Sequence, residues 1–207
     1  MLKKLLVLGF TASFALVSSA QFGGLGGMLG LGGGGSGPSP DKLLAEYFVG
    51  AAGVLNAQAK ILNAVGLKDQ ADLASSNAAN MKEGATKDSI AEAQKVQTEN
   101  SQKIQAALAD SNLKLDENAK KLIGEGYANL AVGTLAYVVF IKDAKDFKPS
   151  LTSLGAAVVA LIAIVPRIPE DAKNLLNTFK AVSAYAKENK IAAPKDDPTK
   201  DLGSLVG

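Results

Sequence analysis

The side chains that most often catalyse reactions or bind metal ions are missing from this sequence. It contains no cysteine and no histidine, which removes thiolate nucleophiles, disulfides, the usual zinc ligands and the imidazole general base. Carboxylate, lysine and tyrosine side chains remain, but the sequence has none of the common motifs for phosphate binding, serine hydrolysis or zinc proteolysis. We therefore predict a protein that is not an enzyme and that binds no metal ion and no cofactor.

Three amide side chains interrupt apolar helix faces and are the first candidates for a polar contact. Gln58 lies in the apolar stripe of the first predicted helix, and Gln97 and Asn100 lie in the stripe of the third. A buried amide without a hydrogen-bond partner costs about 1–3 kcal/mol. These side chains are therefore expected to bond to one another across the two helices, to line a polar pocket for a ligand, or to face water on a peripheral helix.

Arg167 is the only arginine of the chain and lies at a corner between Pro166 and Pro169. Its planar guanidinium could bind a carboxylate or a phosphate at this rigid position. Alternatively, its charge could lie at the carboxyl end of the preceding helix, where the exposed carbonyl groups favour a cation.

Two long apolar segments dominate the second half of the chain. Residues 126–141 and 149–166 contain no charged side chain, whereas the link between them is rich in lysine and aspartate. As helices the segments would be about 24 Å and about 27 Å long, which is shorter than the ~30 Å hydrocarbon core of a bilayer. We therefore expect them to be the central helices of a soluble protein, with insertion into a membrane as the alternative.

If these segments form a membrane or ligand surface, their large apolar side chains are the candidates to line it. Aromatic and branched side chains are the ones that bury most apolar area on contact. The candidates are Tyr127, Tyr137, Phe140, Val158, Leu161 and Ile164.

The N-terminus has the pattern of a secretory signal peptide. Lys3 and Lys4 precede an apolar stretch, and small residues end at Ala20, after which we expect cleavage and export to the periplasm or the cell exterior. The glycine-rich residues 21–40 are expected to form a flexible leader. The chain has 22 basic and 20 acidic residues, so loss of the two N-terminal lysines leaves the mature chain formally neutral. A neutral chain argues against a nucleic-acid partner.

Capping signals divide the remainder of the chain into predicted helices. Ser39 or Asp41 caps the first helix, and Gly66 ends it. A second, weaker helix covers residues 69–82, and Ser89 begins a capping-box pattern that opens the third. Asp116 caps a fourth helix of about 30 residues. The fifth begins near residue 150, and the sixth opens after it with proline and acidic residues in its first turn.

These features predict an all-α, antiparallel bundle of five to six helices, residues 41–191, followed by a tail, residues 192–207. The predicted function is binding to a protein partner, in a scaffold or chaperone-like role. One alternative is an apolar ligand or lipid held between the central helices, where small residues could leave a cavity: Gly133, Gly155, Ala156, Ala157 and Ala160. The other is a membrane-inserting or pore-forming role for the hairpin of residues 126–166.

Overall fold

A computed structural model of the protein describes residues 38–147 and 155–206. Within these two ranges the chain is mostly helical and contains no strand, which confirms the all-α prediction. The helices are α1 (Pro40–Ala64), α2 (Lys68–Asn80), α3 (Lys87–Leu108), α4 (Glu117–Ala144), α5 (Ala156–Ile164), a 3-10 turn (Val165–Arg167), α6 (Ile168–Glu188) and α7 (Thr199–Val206). The predicted signal peptide, the leader up to residue 37 and the predicted start of the fifth helix lie outside the described residues.

Local capping residues set the helix starts. The Ser39 hydroxyl oxygen accepts a hydrogen bond from the backbone N–H of Lys42 at 3.3 Å and begins α1, as predicted. A carboxylate oxygen of Asp116 accepts one from the backbone N–H of Ala119 at 2.8 Å and begins α4, also as predicted.

The predicted start of the third helix is wrong by three residues. Thr86, and not Ser89, is the N-cap of α3. The Thr86 hydroxyl oxygen accepts a hydrogen bond from the backbone N–H of Ser89 at 3.1 Å. A threonine three residues before a serine offers the same capping chemistry, and the earlier residue occupies the cap.

Helices α1 and α4 approach each other so closely that glycine is required at the contact. A Cβ atom added to Gly133 would lie 2.6 Å from the carbonyl carbon of Gly53, and one added to Gly50 would lie 2.8 Å from the backbone nitrogen of Tyr137. Since residue numbers rise along α1 as they fall along α4, the two helices are antiparallel.

Helix α4 also packs against α6, so that its central part lies between two helices. The Tyr127 and Phe179 rings have centroids 5.0 Å apart, and the Tyr137 hydroxyl contacts Asp171 farther along. This pair of helices therefore runs antiparallel as well. Helix α2 packs on α1 and α3, and α5 packs on the same two helices. One continuous apolar core contains side chains from α1 to α7.

The C-terminal residues, for which the sequence predicts a tail, form the helix α7. A carboxylate oxygen of Asp197 accepts a hydrogen bond from the backbone N–H of Thr199 at 2.9 Å, at the start of α7. Leu202 is completely buried, and Lys142 of α4 forms a 2.7 Å ion pair with Asp201. Part of the predicted tail is thus held against the protein by one buried leucine and one ion pair.

Candidate functional site

The three candidate amides are all buried, and Gln58 and Gln97 lie where α3 packs on α1. Their exposed fractions are 0% for Gln58, 5% for Gln97 and 1% for Asn100. The Gln58 side-chain nitrogen donates hydrogen bonds to the backbone carbonyl of Gln97 and to the hydroxyl of Ser101, both at 3.0 Å. These bonds join α1 to α3, so we assign them a structural role.

Ser101 is a member of this contact that the sequence analysis missed. It is completely buried and lies four residues after Gln97, on the same face of α3. This spacing of four residues is the feature of the sequence that could have identified Ser101 as part of the contact. Gln58 also bonds to the backbone of Gln97 and not to its side chain, a choice that side-chain patterns do not encode.

A second buried polar cluster lies where α1, α4 and α6 meet. The Tyr137 hydroxyl donates a hydrogen bond of 2.9 Å to a carboxylate oxygen of Asp171, and each residue is only 1% exposed. Tyr47 of α1 completes the cluster, with its ring centroid 6.0 Å from that of Tyr137. Burial raises the pKa of Tyr47, and Gln94 of α3, which lies near its hydroxyl, opposes part of this rise.

Burial raises the pKa of the Asp171 carboxyl from 3.8 to about 6. The hydrogen bond from Tyr137 and the positive charge of Arg167 oppose this rise. Asp171 is one of the acidic residues in the first turn of the sixth predicted helix, yet it lies one helical turn before Leu175, on the buried face. The helical period of that face was the signal that could have placed this carboxyl in the core.

Arg167 lies in the 3-10 turn between α5 and α6, next to this cluster. Its side chain is half-buried, and its charge opposes the rise that burial causes in the pKa of both Asp171 and Tyr47. The guanidinium therefore favours the ionised form of a buried carboxyl in its own chain, that of Asp171. Arg167 also lies just after the carboxyl end of α5.

The six side chains considered for a membrane or ligand surface all lie in the core. Their exposed fractions are between 0% and 6%, for Tyr127, Tyr137, Phe140, Val158, Leu161 and Ile164. The exposed large apolar side chains of the same two helices are different residues. They are Val132 and Val139 on α4 and Val159 and Ile162 on α5.

Helix α5 presents an apolar face to solvent. Its sequence, AAVVALIAI, contains no polar side chain. Leu161 and Ile164 are completely buried, whereas Val159 is 42% exposed and Ile162 is 43% exposed. A helix on the surface of a soluble protein normally carries polar residues on its outer face. Apolar side chains grouped on a surface commonly mark an interaction site.

Two of the small residues predicted to leave a ligand cavity, Gly133 and Gly155, have other surroundings. The space beside Gly133 is occupied by the backbone of α1, and Gly155 is exposed at the start of α5. A groove with a volume of about 490 Å³ lies elsewhere, at the carboxyl ends of α3 and α6. Among its lining residues are Leu108, Asp110, Leu113, Ala181, Tyr185 and Glu188.

Helix α4 is the one helix in the described ranges that is long and apolar enough to cross a membrane. Half of its apolar stretch, 50%, is buried inside the protein, in the contacts with α1 and α6. Over residues 38–147 and 155–206, no three acidic side chains come together in a way that would hold a metal ion.

Comparison of the chain with protein-family models, with curated proteins and with solved structures gave no match. Function is therefore inferred from the residues and contacts of the chain itself.

Proposed function

We propose that this protein is an exported, non-enzymatic helical protein that acts by binding another protein through the outer face of α5. One observation carries the proposal: α5 has no polar side chain, and it exposes Val159 and Ile162 by 42% and 43%. Covering the remaining exposed surface of two such side chains is worth about 1 kcal/mol each. A partner with an apolar groove or helix would supply that cover.

The inner face of α5 makes it a rigid platform for such a contact. Leu161 and Ile164 are fully buried against the core, and α5 packs on both α1 and α3. Since the inner face is already ordered, binding at the outer face would require little further ordering of the helix.

Export and domain organisation are part of the proposal. The basic and apolar N-terminus supports a cleaved signal peptide, residues 1–20, and a location in the periplasm or outside the cell. We propose that the glycine-rich leader, residues 21–40, connects to one antiparallel bundle, residues 41–191. The antiparallel contacts of α4 with α1 and with α6 support this arrangement.

The chemistry of the interior supports a non-enzymatic role. The carboxyl with the most unusual environment, that of Asp171, is 1% exposed, and its partner Tyr137 is equally buried. A substrate in solution could reach neither group without opening the helix contacts. Some of the exposed acidic and basic groups form ion pairs of the kind found on ordinary protein surfaces, such as Lys60 with Glu125 at 2.9 Å.

Membrane insertion is the second candidate function, and the length and apolar character of α4 favour it. Insertion would separate α4 from α1 and α6 and would expose the Tyr137–Asp171 pair. Protein binding through α5 requires no such opening. The helix arrangement of the structure is therefore already suited to protein binding, whereas membrane insertion would require it to change.

The proposal is tested by changing the outer face of α5 while leaving its inner face intact. In the native host, wild-type protein should co-purify at the size of a complex, and Val159→Asp with Ile162→Asp should shift it to its free size. Leu73→Asp on α2 is the matched control, since Leu73 has the same 43% exposure. The proposal fails if the α5 variant stays in the complex or if the control leaves it equally. Flotation of the wild-type protein with liposomes would instead favour membrane insertion.

A further inference from the structure

A second apolar surface runs along the outside of the contact between α1 and α4. On α1 the outward positions between Lys42 and Lys60 follow helical spacing and are partly exposed. On α4 the corresponding outward positions include Val132 at 40% and Val139 at 41% exposure. We call this surface the α1–α4 seam and define it by Ala45, Val49, Ala52, Val132, Ala136 and Val139.

Two ion pairs show that the outward positions of the two helices lie side by side. Lys42 of α1 pairs with Asp143 of α4 at 3.1 Å, and Lys60 pairs with Glu125 at 2.9 Å. All four side chains are at least one-third exposed. The pairs mark the two ends of the seam, about 27 Å apart at 1.5 Å per residue.

The seam between these ion pairs is almost free of charge. Residues 126–141 of α4 contain no charged side chain, and residues 43–59 of α1 contain only Glu46. The Glu46 carboxylate is buried beneath Lys42, with 3.2 Å between the charged atoms. The surface is therefore an uncharged, mostly apolar strip, which also contains the exposed Asn56 of α1 and the partly exposed Asn129 of α4, with one acid and one base at each end.

We propose that the α1–α4 seam is the interface of a symmetric homodimer, in which the two-fold axis runs parallel to the helices. Under this symmetry α1 of one copy packs on α4 of the other, and the four helices alternate in direction. Lys42 then faces Asp143 of the partner subunit, and Lys60 faces Glu125 of the partner subunit. Both ends of the interface are electrostatically matched.

The charge pattern selects this symmetry over the other face-to-face arrangement. A two-fold axis perpendicular to the helices would pack α1 on α1 and α4 on α4. Lys42 would then face Lys60 of the partner subunit, and Asp143 would face Glu125 of the partner subunit. Like charges opposed across an interface are unfavourable, so the seam fits a second copy in one orientation.

The size of the seam predicts a weak, reversible dimer. Two helices of ~10 Å diameter and ~27 Å length present roughly 500 Å² per copy. The total of roughly 1,000 Å² lies at the lower end of specific interfaces. We therefore expect dissociation in the micromolar range. This surface uses α1 and α4, so its role is independent of partner binding by α5.

Sedimentation velocity of the mature protein over a concentration series tests self-association. We expect a monomer–dimer equilibrium whose Kd rises by about tenfold or more in Val132→Asp with Val139→Asp, because charges would be buried at the interface. Leu73→Asp and the α5 variant should keep the wild-type Kd, and circular dichroism should show equal helix content. A wild-type protein that stays monomeric up to near-millimolar concentration would overturn the proposal.

Single cysteines test the symmetry, and the absence of native cysteine makes the result unambiguous. Val49 and Ala136 lie at matching heights on the two helices, so a mixture of Val49→Cys and Ala136→Cys copies should form an intermolecular disulfide under mild oxidation. Val49→Cys alone should remain reduced. Rapid disulfide formation by Val49→Cys alone, or none in the mixture, would refute this arrangement even if the protein dimerises.

Discussion

Replacing Asp171 by asparagine should make protein stability much less dependent on pH. The folded protein holds this carboxyl with a pKa of about 6, against 3.8 for an unperturbed aspartate. Between these values the folded state binds the proton and the unfolded state releases it. The contribution of Asp171 to stability is therefore greatest below pH 3.8 and is lost as pH rises through about 6.

The difference of about two pKa units corresponds to about 3 kcal/mol of unfolding free energy. Asparagine keeps an oxygen that can accept the Tyr137 hydrogen bond but cannot ionise. The other carboxylate oxygen of Asp171 accepts no hydrogen bond from the described residues, so the new amide group costs about 1–3 kcal/mol at all pH values. This cost lowers the unfolding free energy by the same amount at every pH, so it does not change how steeply the unfolding free energy depends on pH.

Urea unfolding followed by circular dichroism, at several pH values from about 4 to 7, measures this slope. The wild-type protein should lose about 3 kcal/mol more than Asp171→Asn over this range. Glu46→Gln is the control: burial also raises the pKa of Glu46, so the control should keep the part of the slope that belongs to Asp171. Parallel curves for wild type and Asp171→Asn would refute the assignment of Asp171 as a buried, ionising carboxyl.

The raised pKa of Asp171 also affects how the protein should respond to acid near a membrane. Mild acid neutralises Asp171 and relieves the unfavourable burial of its charge, so the contact between α4 and α6 should become tighter. Release of α4 into a bilayer by acid is therefore not expected from this cluster.

Two further predictions concern the helix contacts. Gly133→Ala should destabilise the protein by at least about 2 kcal/mol, since its new Cβ atom would lie 2.6 Å from the α1 backbone; Gly203→Ala, which meets nothing within 4 Å, should be neutral or slightly stabilising in thermal unfolding. Ser101→Ala should cost about 1 kcal/mol by removing one of two hydrogen bonds from Gln58. Urea unfolding that gives Ser101→Ala the wild-type midpoint would show that the bond adds nothing to stability.

Local signals made the helices predictable, because a cap depends on residues within one turn. Ser39, with Asp41 as the alternative, and Asp116 are predicted as caps in this way, and Ser39 and Asp116 cap the expected helices. Tertiary partners were not predictable in the same way. Tyr137 and Asp171 are 34 residues apart, and an aspartate in a first helical turn has an ordinary local explanation.

The sequence also does not show which side of an apolar helix faces the core and which side faces solvent. Helix α5 is apolar on every side, so helical periodicity cannot distinguish the buried Val158 from the exposed Val159. Gly133 illustrates the same ambiguity, since a small residue is compatible with a cavity and with a close helix approach. The facing backbone of α1 decides between them.

Photo-crosslinking in the native host tests the central proposal most directly. A photoreactive amino acid at Val159 should give a discrete protein adduct that is lost when Ile162→Asp is added, whereas the same probe at Leu73, of matched exposure, should give none. Equal adducts from both positions, or no protein adduct from Val159, would contradict the proposal that the outer face of α5 binds a protein partner.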